Sequence, residues 1–157
     1  MEIEKSTRHQ KIIGDFGEAL VCNWLSRSGF EVAMVDHTGI DILARNPQTK
    51  ERLVISVKSR TRKKGKENES VNIFEENDRQ KLSCACEAFA AEPCIAIYVE
   101  CSDFADLFLL SVEHYDREYR GSPAGVVDVW RMGPKYKQIY EADAQVRHIR
   151  TDFRASS

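Results

Sequence analysis

Residues 39–44 and 53–58 read GIDILA and LVISVK, two runs of strand-forming residues on either side of the segment NPQTK. This pattern predicts a β-hairpin, because aliphatic and β-branched residues favour strands and an Asn-Pro pair favours a turn. Asp41 lies alone among apolar residues in the first run, and Lys58 ends the second. An ionised side chain in such surroundings is costly unless it is paired, binds a metal or lines a wet cleft. The two charges therefore need an explanation beyond core packing.

Side chains alternate along a strand, which places Ser56 and Lys58 on one face of the hairpin with their Cα atoms roughly 7 Å apart. Asp41 projects from the other strand, so that an acid and a base converge on one face. Two interpretations follow. The pair lines a functional site, or it forms a salt bridge that holds the hairpin together, in which case the desolvation of both charges can exceed their attraction.

Apolar spacing elsewhere in the chain predicts two helices. The first covers residues 6–28 and ends at Gly29, a residue that commonly stops a helix. The second begins at Asn77 or Asp78 and is ended by Pro93. Each glycine inside a helix costs about 1 kcal/mol relative to alanine. The glycines at positions 14 and 17 therefore predict that another part of the chain packs closely against the first helix.

Runs of apolar and β-branched residues predict further strands at 30–36, 71–74, 94–99, 107–112 and 126–132. The run at 94–99 is apolar on both faces, so it belongs in the middle of a sheet. The segment 136–153 fits either a helix over 141–146 or a short strand near Val146 and His148. This order of elements predicts an α/β fold in which helices flank a central mixed β-sheet.

The composition limits the classes of function that remain open. The chain has 157 residues, a formal net charge of -2 and 42% hydrophobic residues, which predicts one domain over 1–157. A protein coated in positive charge is excluded, so any nucleic-acid contact depends on a local patch. The polar first residues, and the lack of an apolar run of about 18 residues, predict a cytoplasmic protein without a membrane span.

A basic run follows the hairpin and supplies such a patch. Residues 58–66 carry six positive charges in nine positions, five of them after Lys58: Arg60, Arg62, Lys63, Lys64 and Lys66. Lysine and arginine bind the phosphates of DNA without regard to sequence. A solvated hairpin loop is the alternative, since Glu67 and Glu69 would weaken the positive field.

Four short motifs together resemble the PD-(D/E)xK nuclease superfamily, and within it the archaeal Holliday-junction resolvases. They are GxxxE at 14–18, GF at 29–30, GIDI at 39–42 and SVK at 56–58. The resemblance extends over about residues 14–112. It implies a restriction-endonuclease-like fold of three layers, with a core over about residues 8–112 and residues 113–157 as an extension of the same domain.

The resemblance also implies a metal site at which DNA is cut. Glu18 and Asp41 match the carboxylates that hold Mg²⁺ or Mn²⁺ in the superfamily, and Lys58 matches the lysine that positions or activates the attacking water. These residue types suit the reaction, because a phosphodiester is anionic and resists attack. Carboxylates concentrate a divalent ion that polarises the phosphoryl oxygen, and lysine adds a positive charge without competing for the metal.

Ser56 departs from the motif, because the superfamily has a second carboxylate at this position. A serine hydroxyl is a neutral and weak metal ligand, so the site lacks one negative charge. Three explanations remain open. A carboxylate from elsewhere replaces it, Glu18 and Asp41 suffice with one ion, or the protein binds DNA without cutting it. The candidates for a replacement are Glu75, Glu76 and, behind them, Glu69.

The expected function is that of a metal-dependent DNA endonuclease that acts on duplex or branched DNA in recombination, repair or defence. The resemblance to resolvases implies a homodimer, because a junction presents two equivalent strands. A nuclease-derived DNA-binding or assembly subunit is the main alternative. A third possibility is an interaction domain in which Asp41 and Lys58 merely pair.

Overall fold

The computed structural model describes residues 2–75, 77–121 and 128–154. Its helices and strands, in chain order, are α1 (His9–Arg27), β1 (Glu31–His37), β2 (Ile40–Arg45), β3 (Arg52–Thr61), β4 (Val71–Phe74), α2 (Asp78–Phe89), β5 (Glu92–Glu100), β6 (Phe104–Ser111), α3 (Val112–Glu118), β7 (Asp128–Trp130), α4 (Pro134–Ala142) and β8 (Arg147–Asp152). No helix in these ranges is both long enough and apolar enough to cross a membrane.

A six-stranded mixed sheet forms the centre of the structure. Its strands lie in the order β1-β2-β3-β5-β6-β8, with β3 and β5 parallel and the other neighbours antiparallel. Strand β5 lies between β3 and β6, and its residues from Cys94 to Val99 are all buried. The predicted position of this apolar run in the middle of the sheet is confirmed. Strands β4 and β7 form a separate two-stranded sheet.

The sheet is covered on both faces. On one face, Ile13, Val21 and Leu25 of α1 pack against the sheet residues Ile42 and Ile55. On the other face the core is larger and joins α2, the β4–β7 sheet and α4; its members include Leu82, Ala85, Ile73, Trp130 and Tyr140. The predicted α/β arrangement, a central mixed sheet flanked by helices, is confirmed.

Several boundaries differ from the sequence prediction. Helix α1 begins at His9 rather than at residue 6. Strand β6 ends at Ser111, because the Ser111 hydroxyl accepts a hydrogen bond from the backbone N–H of His114 and caps α3, a helix that the apolar run concealed. Of the predicted strand at 126–132, residues 128–130 form β7, and residues 126 and 127 lie outside the described ranges.

The carboxy-terminal segment contains both a helix and a strand, where the sequence left a choice between them. Helix α4 covers Pro134–Ala142, where the Pro134 ring suits the first turn of a helix, so only residues 141 and 142 of the helix expected at 141–146 are helical. Strand β8 then pairs with β6. Residues 128–154 therefore complete the main sheet and cover one of its faces.

Candidate active site

Strands β2 and β3 stop pairing beside Asp41, and the candidate site lies at this end of the hairpin. The ladder between β2 and β3 ends at the pair Ile42 and Ile55. One residue further along, the Asp41 Oδ2 accepts a hydrogen bond of 2.7 Å from the backbone N–H of Val57. A side chain has thus taken the donor that a neighbouring strand would otherwise use. Strand β2 separates from β3 at this point and leaves room for a cleft.

The cleft has a volume of about 200 Å³. Asp41, Ser56 and Lys58 of the hairpin lie along it, as predicted from strand alternation. The remaining lining residues come from the turn between β1 and β2, the end of β4 and the start of α2: His37, Gly39, Ile40, Phe74, Asp78 and Lys81.

Gly39 allows α2 to close over the hairpin. Its φ angle of +92° is rarely adopted by residues with a side chain. A Cβ atom at this position would also lie 2.7 Å from the Lys81 Cβ and 3.0 Å from the backbone nitrogen of Leu82. The glycine therefore sets the distance between the two walls of the cleft.

Helix α1 brings Glu18 to Asp41 through a close contact with β3. A Cβ atom on Gly17 would lie 2.0 Å from the Ser59 Oγ and 3.2 Å from the Ser59 Cβ, so the helix packs closely here and any side chain would force Ser59 to shift. Gly14 has no neighbour within 4 Å of such an atom. Of the two glycines that predicted close packing, Gly17 confirms the prediction and Gly14 does not.

The two carboxylates interact strongly. Partial burial raises the pKa of Glu18 to about 7, and the negative charge of Asp41 and a hydrogen bond with it add to the effect. Near neutral pH the pair therefore tends to hold one proton. A pair of carboxylates that cannot both ionise freely is a place where a cation would be favourable.

Lys58 does not neutralise this pair. Within residues 2–75, 77–121 and 128–154, no carboxylate lies within 4.0 Å of its ammonium group, and Asp41 is no exception. The interpretation of Asp41 and Lys58 as a salt bridge that holds the hairpin is therefore wrong. The lysine lines the cleft as an available positive charge.

The expected replacements for a carboxylate at Ser56 do not line the cleft in the described structure. Glu75 is exposed beyond the end of β4, and Glu69 pairs with Lys66 at 3.3 Å and Arg62 at 3.6 Å in the basic loop. Glu76 lies outside the described residues. In the part of the chain that the structure describes, no group of three or more His, Cys, Asp or Glu side chains is arranged to hold a metal ion.

Asp78, at the start of α2, is a second carboxylate that lines the cleft beside Asp41. Its Oδ2 accepts a hydrogen bond of 2.9 Å from the backbone N–H of Glu75, which fixes its position at the start of α2. The sequence identified Asp78 only as a helix start. The sequence spacing could have indicated that Asp78 lines the cleft. Asp78 and Lys81 are three positions apart, so they share one face of the helix that covers the hairpin.

The basic run is partly neutralised by its own neighbours. Arg60 belongs to β3 and is half-buried, and burial lowers its pKa. Arg62 donates to the backbone oxygen of Ser70 and pairs with Glu69, which also binds Lys66. The side chains that stay exposed without an ion pair in the described structure are Lys63 and Lys64.

The sequence matches no protein-family model and no curated protein. Among solved structures, the fold is similar to that of Hjc, a Holliday junction resolvase from the archaeal hyperthermophile Archaeoglobus fulgidus. The TM-score is 0.57 at 16% sequence identity, over 80% of this chain and 88% of that chain. A likeness at this level of identity establishes the fold. The chain has a restriction-endonuclease-like fold.

Proposed function

We propose that this protein is a metal-dependent DNA endonuclease, resolvase-like or restriction-like, which hydrolyses phosphodiester bonds at the cleft between the hairpin and α2. One observation carries the proposal: Glu18 meets Asp41 where β2 separates from β3, next to Lys58, which forms no ion pair with any described residue. Two carboxylates in contact repel each other, and the nearby lysine pairs with neither of them. This arrangement does not stabilise the fold, so a purely structural role does not explain it.

The carboxylates suit Mg²⁺ or Mn²⁺. Magnesium is commonly held by one or two carboxylates together with substrate phosphates, and it keeps several of its waters. Glu18 and Asp41 would supply the two carboxylates. Burial and, to a smaller extent, the charge of Asp41 raise the pKa of Glu18, and a bound cation would offset both effects. When bound, the ion supplies a polarised phosphoryl oxygen and a water of lowered pKa.

The remaining residues have distinct roles in this proposal. The Val57 N–H holds the Asp41 carboxylate in one orientation, so that its other oxygen is free for the cleft. Lys58 stabilises the negative charge that develops at the phosphate or on the attacking oxygen. Asp78 provides, from the opposite wall, the negative charge that Ser56 lacks.

DNA, duplex or branched, would approach along the basic side of the hairpin. Lys63 and Lys64 are exposed and able to contact phosphates, whereas Arg60, Arg62 and Lys66 contribute less because each is buried or already paired. Lys81 adds a positive charge at the cleft itself. A homodimer would present two such clefts to the two strands of a junction.

A DNA-binding or assembly subunit without cleavage is the second candidate. Two observations favour it: Ser56 stands in place of a carboxylate, and the described residues contain no cluster of three metal-binding side chains. The fold and the basic residues serve this function equally well.

Cleavage assays separate the two candidates. Supercoiled plasmid, linear duplex and four-way-junction DNA are incubated with Mg²⁺ or Mn²⁺ and with the wild type, Asp41→Ala or Lys58→Ala. Lys50→Ala, at an exposed lysine in the hairpin turn, is the matched control. We expect cleavage by the wild type and the control and its loss in both site variants.

Cleavage that survives both substitutions would exclude this cleft as the active site. Wild-type protein that shifts DNA in a gel but cuts no substrate with either metal would favour the binding subunit. Light scattering of the protein alone and with junction DNA measures whether it is a dimer.

A further inference from the structure

A cavity larger than the cleft lies away from it, on the carboxy-terminal part of the chain. It has a volume of about 650 Å³ and lies between α3, β7 and α4. It shares no lining residue with the cleft. Cavities of roughly 300–1,000 Å³ are the size that small-molecule ligands occupy. We refer to it as the tyrosine pocket, after Tyr119, Tyr136 and Tyr140 in its wall.

The aromatic wall of the tyrosine pocket is held rigidly. Tyr140 is buried and stacks on Trp130, with ring centroids 3.9 Å apart and an angle of 14° between the rings. Tyr119 meets both rings edge-on, at 5.5 Å from Trp130 and 5.1 Å from Tyr140. The Tyr140 hydroxyl donates to the backbone oxygen of Arg131 at 2.9 Å. Rings that are already fixed lose little entropy when a flat ligand packs against them.

The acidic groups of the tyrosine pocket are already occupied. Asp143 accepts hydrogen bonds from the Nε2 of His114 at 2.6 Å, from the backbone N–H of Gln145 at 2.9 Å and from the Tyr119 hydroxyl. Glu118 pairs with Arg117 at 3.3 Å. Both carboxylates thus already interact with donors or cations of the protein, so neither favours a cationic ligand in the pocket.

His114 lies between Arg117 and Asp143. Arg117 donates to the Nδ1 of His114 at 3.0 Å, which places the imidazole proton on Nε2, facing Asp143. The network from Arg117 through His114 to Asp143 connects α3 to the end of α4.

Arg131 is the charged group of the tyrosine pocket that remains available. It is exposed, and its guanidinium lies over the ring of Tyr136, with Cζ 5.5 Å from the centroid. No carboxylate in the described part of the chain forms an ion pair with it. A guanidinium presents a fork of donors that matches phosphate oxygens. The pocket therefore combines the partly exposed rings of Tyr119 and Tyr136 with one open anion-binding group.

We propose that the tyrosine pocket binds a nucleotide, with the base against the partly exposed rings of Tyr119 and Tyr136 and the phosphate on Arg131. Stacking on aromatic side chains and contact with arginine are the two features by which proteins hold unpaired nucleotides. Nucleotide binding in this pocket does not depend on DNA cleavage at the cleft. Its ligand is either a free nucleotide or an unpaired nucleotide of a DNA strand, since both present the same base and phosphate.

The test measures binding rather than cleavage. The full chain is titrated with deoxyadenosine monophosphate, with a single-stranded oligonucleotide and with the same sequence as a blunt duplex. The variants are Arg131→Ala and Tyr136→Leu, and the control is Lys135→Ala, an exposed lysine in the first turn of α4 that does not line the pocket. Circular dichroism confirms that each variant is folded.

We expect Arg131→Ala to weaken nucleotide binding by roughly tenfold, from the loss of a charged hydrogen-bond donor. Tyr136→Leu is expected to weaken it by a similar factor, roughly tenfold, from the loss of stacking. The control variant should bind like the wild type. Binding of the monophosphate identifies a free nucleotide as sufficient, and binding of the single strand alone identifies a DNA strand as the source.

The proposal is overturned if neither the monophosphate nor the single strand binds at millimolar concentration, or if both site variants bind as tightly as the wild type. Asp41→Ala distinguishes this site from the cleft, because it should abolish cleavage and leave nucleotide binding in the pocket unchanged. Loss of nucleotide binding in Asp41→Ala would place the nucleotide in the cleft and would also overturn the proposal.

Discussion

At the scale of single residues, the site depends on two carboxyl groups that share a small space. Glu18 arrives from α1 and Asp41 from β2, and neither has a cation within ion-pair distance in the described structure. The arrangement is unfavourable for the isolated protein unless a proton or a metal ion is present. The stability of the metal-free protein should therefore depend on pH.

The stability of the metal-free protein should fall as pH rises through about 7. The pKa of Glu18 is raised to about 7 in the folded chain from an ordinary value of 4.5, so protonation favours the folded state. The stabilisation that comes from protonated Glu18 is complete below pH 4.5 and is lost as pH rises through the pKa of Glu18 in the folded protein, about 7. Urea unfolding between pH 5 and 8.5 in a chelator measures it. Glu18→Gln should flatten the curve, whereas Glu87→Gln, at an exposed glutamate of α2, should not.

Asp78→Asn should weaken metal-dependent cleavage without unfolding the protein. The asparagine oxygen can still accept the hydrogen bond from the Glu75 N–H, but the negative charge at the cleft is lost. We expect the concentration of Mg²⁺ that gives half-maximal cleavage to rise on the order of tenfold. Glu75→Gln, outside the cleft, is the control. Equal metal requirements in the two variants would argue against a role for Asp78.

The sequence identified Asp41 and Lys58 as candidate site residues because a charged side chain among apolar strand residues is unusual and costly. Asp78 was not, because an aspartate at the start of a helix has an ordinary capping explanation. Its proximity to the hairpin depends on how α2 packs through Gly39, and sequence spacing alone does not encode that distance.

At the scale of elements, the contact between α1 and β3 determines where Glu18 lies. The Gly17 backbone approaches Ser59 so closely that a methyl group has no room. Gly14, one helical turn earlier, faces open space. The two glycines therefore form a natural pair for comparison.

Gly17→Ala and Gly14→Ala should have opposite effects. An alanine at position 14 should stabilise the protein by about 1 kcal/mol, because alanine favours the helix. An alanine at position 17 should destabilise it by roughly 1–3 kcal/mol, because the added methyl group pushes the helix away from β3. The second variant should also lose cleavage, since Glu18 moves with the helix. Urea unfolding and a plasmid assay measure both effects, and equal stabilities would contradict the close contact.

The elements that the sequence predicted well have unambiguous patterns. Residues 94–99 of β5 are uniformly apolar, and β4 begins and ends as predicted. Helix α3 was missed because its cap, Ser111, follows an apolar run that reads as a continuing strand. Helix α4 lies in a segment whose short length and mixed polarity left helix and strand equally open. In both cases tertiary packing decided the outcome.

At the scale of the whole molecule, one buried charge connects the carboxy-terminal segment to the sheet. Asp106 of β6 is fully buried and accepts hydrogen bonds of 2.8 Å from both His148 and Arg150 of β8. Lys137 of α4 lies 3.7 Å away. Burial alone would raise the pKa of Asp106, but the hydrogen bonds outweigh it and lower the pKa to about 2.

Asp106→Asn should destabilise the whole protein by roughly 1.5–3 kcal/mol, because the buried carboxylate loses its charge-assisted hydrogen bonds with His148 and Arg150. Since the folded pKa of Asp106 is depressed to about 2 from an ordinary value of 3.8, its contribution is complete above pH 3.8 and is lost as pH falls through about 2. Asp103→Asn, at an exposed aspartate before β6, is the control. Unfolding monitored by circular dichroism at neutral pH measures the loss, and a variant as stable as the wild type would contradict the coupling.

The hydrogen bond from the Val57 amide to Asp41 has a consequence for spectroscopy. That amide proton should exchange slowly with solvent in the wild type and quickly in Asp41→Ala, where its acceptor is gone. Its nitrogen chemical shift should move whenever the carboxylate gains a proton or a metal ion, because the acceptor becomes weaker. A single backbone resonance can therefore report the ionisation and metal occupancy of this site in solution, without any DNA present.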